Sequence, residues 1–243
     1  MESHPVSRRA VVGALVATSI AGVGTTLAAS VAPKETGLSS EGLLAGRPGF
    51  QPRSIAPLAY KELPGFLSAR QLETNYGEYK TAVEQLQQTE QALLTVARLP
   101  TNVAEYGALR RRQVALANSV LLHEFYFGNL TATPPEMTAY VSRHMKEHMG
   151  SVESWADDFR MCALSAQAWA ALVYDPYDDR WHNTVMDHDS DGLWVGANPL
   201  VVCDVAAHAY TADFSQRDEY VSKFLQHIDW TEVGARYHRV DRM

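Results

Sequence analysis

The sequence predicts an α+β fold in which an N-terminal helical hairpin is followed by a small antiparallel sheet packed with helices. Three observations predict it. Two long stretches, Ala69 to about Arg98 and Tyr106 to about Asn129, repeat apolar residues at helical spacing. After Ala163 the pattern changes to short β-prone runs bounded by turn formers. Helical patterns then return at the end of the chain. Helices and strands are therefore segregated rather than alternating, which is the order of an α+β domain.

Residues 1–32 read as an export signal. Arg8 and Arg9 follow Ser7, and no charged residue occurs again until Lys34, so a basic start precedes a mildly apolar stretch rich in Ala, Gly and Thr. The paired arginines resemble a twin-arginine signal, with cleavage expected among the small residues Ala28 to Ala32. The mature protein is expected outside the cytoplasm, periplasmic or extracellular, with no membrane association once the signal is removed. Residues 33–53 are rich in Gly, Ser and Pro without periodicity, and read as a linker or arm.

Residues 54–133 form the predicted helical hairpin domain; Leu72, Tyr76, Tyr79, Val83 and Leu86 mark the buried stripe of its first helix. Pro134-Pro135 break the chain and open the α+β part, residues 134–243. Helices are expected there over about Pro135 to His148 and Ser151 to Ala163. Strands follow at Ala168 to Tyr174, Trp181 to Met186 and Leu200 to Asp204, with a turn at Asp187 to Gly192. Glu219 to Gln226 and Trp230 to Tyr237 close the chain as helices.

The 243 residues are 46% hydrophobic, ample for a core. The formal charge of −7 disfavours a nucleic acid as partner, and none is expected, because neutralising phosphates needs clustered Lys and Arg. Arg110, Arg111 and Arg112 are the one tight basic run and read as a solvated helix face. Cys162 and Cys203 lie far apart in apolar surroundings and read as small buried hydrophobes, although export would permit a disulfide.

Two segments carry chemistry. Val202 to Tyr210 sets Asp204 and His208 four residues apart within an apolar run, and Leu121 to Phe127 holds His123 among Leu and aromatic residues. Two imidazoles and one carboxylate suit iron, manganese or zinc, and leave positions open for a substrate. His144 and His148 also lie four apart, but Arg143, Lys146 and Glu147 around them favour a solvated helix face. Asp187 to Gly192 begins like a calcium loop, yet its twelfth position is Asn198, so a polar hairpin turn is the better reading.

Taken together, these segments resemble the iron/manganese superoxide dismutase family, whose ligands include a helical His and an Asp-x-x-x-His. The resemblance runs from about Ile55 to Tyr237 and takes in Ala56 to Tyr60, Phe66 to Ala69, Gly150-Ser151, Ala168-Trp169 and Ile228 to Val233, in the family's order. It implies one Fe or Mn held by His123, Asp204 and His208, superoxide or another small oxygen species as substrate, and room for a homo-oligomer. The departures cluster at the site. Asn75 stands where the family has its first His, Val83 replaces a Tyr, Tyr79 a His and Phe127 a Trp. Ser119 or Ser165 takes the place of a Gln, and Ala206 and Ala207 stand for Trp and Glu. Such neighbours tune a bound metal and its solvent, so slower dismutation is expected. Two other readings remain: a three-ligand centre for another oxygen or peroxide reaction, and a metal-free structural or binding relative.

Overall fold

The computed structural model describes residues 54–240, so the export signal and the arm expected over residues 1–53 lie outside the described residues. The first helix, α1, spans Ala69–Thr95. It starts at Ser68 because the Ser68 hydroxyl accepts the otherwise orphaned N–H of Gln71 at 3.1 Å. Asp213 in turn holds both the Ser68 N–H (2.6 Å) and its hydroxyl (2.7 Å), so one residue late in the chain fixes where α1 begins.

After a single 3-10 turn at Pro100–Asn102, α2 runs Val103–Gly128. The cross-links give the direction: Tyr79 bonds Glu124, Glu90 bonds Gln113, and Gln85 bonds Arg112, so the two helices are antiparallel, as expected. Tyr79, Val83, Leu86 and Val120 are buried between them, which is the apolar stripe seen in the sequence. Each such side chain contributes about 1.5–3 kcal/mol by leaving water.

Helix α3, Ala139–Met149, begins four residues later than the expected Pro135, because Thr138 supplies the capping oxygen that takes the Val141 N–H at 3.3 Å. Gly150, at φ +85°, turns the chain into α4, Val152–Ser165. The solvated face expected for His144 and His148 is corrected here. The two rings stack at 5.6 Å, His148 lies 5.5 Å from Trp181, and His144 lies 4.8 Å from Tyr237. Arg143, Lys146 and Glu147 lie on the solvent side, while the imidazoles pack half-buried against aromatic rings.

The sheet has three antiparallel strands, β1 (Trp169–Asp175), β2 (Arg180–Met186) and β3 (Asn198–Asp204), in the order β2-β1-β3. β1 is central and buried along its whole length, which is why it reads as a continuous apolar run. β3 starts two residues before the expected Leu200; Pro199 is tolerated because β3 is an edge strand whose register shifts opposite Leu172 and Val173. Trp169 pairs with Asp204, which brings the end of β3 beside an indole.

Two helices close the described chain, α5 (Arg217–Leu225) and α6 (Trp230–Val240), the latter capped by Asp229, whose carboxylate accepts the N–H groups of Thr231 and Glu232. Helical hairpin, sheet and flanking helices together make an α+β fold. Cys162 and Cys203 are both free thiols, the latter buried. Among the described residues no helix is long and apolar enough to cross a membrane.

Candidate metal centre

His123 lies on the last turns of α2 and is 3% exposed. Its Nδ1 is 2.8 Å from the Ser119 carbonyl oxygen, four residues earlier on the same helix. A carbonyl only accepts, so Nδ1 carries a proton, and in the neutral ring the lone pair lies on Nε2. That Nε2 is buried without a hydrogen-bond partner, 3.8 Å from Asp204 Oδ2.

Asp204 ends β3 and is fully buried. Its Oδ1 accepts the Ala206 N–H at 3.1 Å, and its Oδ2 accepts the Asn75 amide at 3.0 Å and lies 3.1 Å from His208 Nε2. This carboxylate is therefore well partnered without an ion, and the cost expected for an unpaired buried Asp204 is largely offset. His208 sits in the 3-10 turn Ala207–Ala209. Burial works against charge on its ring, yet the hydrogen bond and the charge of Asp204 outweigh burial, with Glu78 and Asp189 adding to them, and its pKa is raised.

The structure thus brings His123, Asp204 and His208 together, with their ligating atoms within 4.8 Å of one another. Asn75 joins them from α1, 1% exposed, with its Oδ1 unpartnered. Of the two serines considered, Ser119 lines the pocket at the site, while Ser165 bonds the Cys162 carbonyl at the end of α4. Val83 is buried between α1 and α2, and Phe127 lies 6.2 Å from the His123 ring. The Tyr79 hydroxyl turns to Glu124 (3.0 Å) and to the Ala56 N–H (2.9 Å); burial, with the Glu124 charge, raises its pKa.

Two supporting residues were missed in the sequence. Gln71, fully buried on α1, donates to the His208 carbonyl at 2.6 Å and accepts the Ala212 N–H at 2.8 Å, clamping the turn that carries His208. Tyr220 on α5 donates to the Asp204 carbonyl at 2.8 Å and lies 3.1 Å from the Tyr126 hydroxyl. Neither belongs to a motif, and their partners are 137 and 16 residues away.

A pocket of about 410 Å³ opens onto this cluster, lined in part by Ser119, His123, Trp169, Ala206 and His208. Trp169 stands edge-on to His123 at 4.9 Å and donates its indole N–H to Asp189 at 2.7 Å. The loop at Asp187 to Gly192 is a turn, as expected, tied by the His188 N–H to Asp191. A further group, Asp175, Asp178 and His182, also gathers ligating atoms, but Trp194, Tyr177 and His182 already occupy its carboxylates and it closes the β1–β2 turn.

Residues 137–236 match the family model for iron/manganese superoxide dismutases, C-terminal domain. The chain is similar to superoxide dismutase [Mn] 2 of Haloferax volcanii, 34% identical over 122 residues, which is 49% of this chain and 61% of that protein. Superoxide dismutase [Fe] of Aquifex pyrophilus is 26% identical over 171 residues, 69% of this chain and 80% of its own length. Superoxide dismutase [Fe] of Cupriavidus metallidurans is 26% identical over 193 residues, 78% of this chain and 93% of its own length. The match to the haloarchaeal proteins spans about three fifths of their length.

Proposed function

We propose, for a chain that belongs to the iron/manganese superoxide dismutase family, that His123, Asp204 and His208 hold one iron or manganese ion and that the protein converts superoxide to O2 and H2O2. The observation that carries this reading is the His123 ring: Nδ1 is committed to Ser119, and the buried Nε2 faces Asp204 with no hydrogen-bond partner. An orphaned buried imidazole nitrogen is costly unless something binds it. The donor set fits, because neutral imidazole and carboxylate are the ligands those metals accept. When bound, an iron or manganese ion would supply reversible one-electron chemistry. The chain orients it: Ser119 fixes the His123 tautomer, Gln71 holds the His208 turn, and Asn75 with the Ala206 N–H aligns Asp204.

A second reading is supported by Asn75. Its amide N–H is spent on Asp204, so the protein offers three strong donors, and the centre has room for another oxygen or peroxide reaction. The hydrogen-bonded state of Asp204 favours a third, metal-free structural role, against which the His123 Nε2 stands. The experiment is superoxide decay, followed after pulse radiolysis, with Fe- or Mn-loaded protein. The first reading expects decay faster than spontaneous dismutation and loss of that gain in His123→Ala. Loaded protein that leaves superoxide at its spontaneous rate refutes the first reading and supports the second. Export through the Ser7-Arg8-Arg9 leader belongs to the same proposal, and fractionation of expressing cells checks it.

A further inference from the structure

His144, Glu147 and His148 share one turn of α3, and the chemistry proposed for His123, Asp204 and His208 uses none of them. The order His-x-x-Glu-His sets two imidazoles and a carboxylate on one side of a helix, a spacing at which a helix can grip a zinc ion. Here that side is turned inward. The His144 side chain is 14% exposed, and His148 stacks on Trp181 of β2 at 5.5 Å. Tyr237 of α6 stands edge-on to His144 at 4.8 Å, so β2 and α6 both wall the pair. Both ring nitrogens of His148 are nevertheless buried without a hydrogen-bond partner. A neutral imidazole has one N–H to give and one lone pair to offer, and burying both unmatched is costly unless something binds there.

The ligating atoms of the three residues lie within 4.8 Å of one another, with His144 Nδ1 3.8 Å from Glu147 Oε2. Ligands at about 2.0–2.1 Å from a tetrahedral zinc stand about 3.4 Å apart, so side-chain shifts of roughly 1 Å close the set. Glu147, with its side chain 60% exposed, reaches the ion from the solvent side. Ligation through His144 Nδ1 puts the proton on Nε2, which then gives up its 3.3 Å contact with the guanidinium of the exposed Arg143. The cluster is separate from the first. Asp204 pairs with Trp169 at one end of β1 and Trp181 pairs with Tyr174 at the other, about 17 Å along the strand.

We propose that His144, Glu147 and His148 form a second metal site, one that takes a divalent cation of the zinc class and leaves one coordination position open. Imidazole nitrogens select against Mg2+ and Ca2+, which take oxygen ligands. Three protein ligands leave the fourth place of a tetrahedral ion to water or to a donor from outside the chain. The site stands whether or not a metal occupies the His123 cluster.

The test is a Zn2+ titration of the full chain, treated with chelator and returned to chelator-free buffer. Two indole N–H signals are followed by NMR, that of Trp181 for this site and that of Trp169, beside His123, for the other. The Trp181 signal should move and saturate with Zn2+, and stay in place with Mg2+ at the same concentration. His148→Gln should abolish the Trp181 response and leave that of Trp169. Glu147→Gln, on the exposed side of α3, should weaken Zn2+ binding at Trp181 several-fold, and it decides the matter if His148→Gln fails to fold. A Trp181 signal that ignores Zn2+, that Mg2+ moves equally, or that responds unchanged in either variant overturns the proposal.

Discussion

On the proposed reading, Asn75 sets how strongly His123, Asp204 and His208 would hold an ion. An amide oxygen is a poorer ligand than imidazole for iron or manganese, and here the amide N–H is turned to Asp204 while Oδ1 lacks a partner. Asn75→His should therefore raise metal affinity by on the order of tenfold, measured by competition with a chelator. A variant no tighter than the parent would mean that position 75 does not face the ion. The convergence of His123, Asp204 and His208 was legible in the sequence because they sit inside apolar runs where polar groups are expensive. Gln71 and Tyr220 were not, since a clamp on a backbone carbonyl leaves no pattern in residue type.

Element boundaries followed local chemistry where caps are short-range, as at Ser68, Ser151 and Asp229. Burial was missed where tertiary context decides, as for the histidine face of α3. There burial lowers the pKa of His148 from the ordinary 6.5, against the raising influence of Glu147. A folded value below the unfolded one means the native state binds fewer protons. Stability is then full above pH 6.5 and declines as the pH falls below it, through the folded value. Urea unfolding of His148→Phe should show a smaller acid loss between pH 7 and 5 than the parent, and an unchanged loss would contradict the packed face. Arg236 on α6 is 4% exposed and joins three elements: it bonds Glu232 beside it, the Leu200 carbonyl of β3 and the Phe125 carbonyl of α2. Arg236→Ala strands those acceptors and should cost about 3 kcal/mol in chemical denaturation. A cost near zero would mean water replaces the guanidinium.

At the scale of the whole molecule, the fold class was legible because periodicity switches once from helical to β and back, and segregated patterns allow few architectures. The pocket was not legible, since Glu78, Asp187 and Asp189 come together only when α1 meets the loop after β2.

Whether one metal ion sits between His123, Asp204 and His208 is settled by elemental analysis by plasma mass spectrometry on the purified parent and on Asp204→Ala. Iron or manganese near one equivalent per chain is expected in the parent, and its loss in the variant. A metal-free parent, or a variant that keeps its metal, would contradict it.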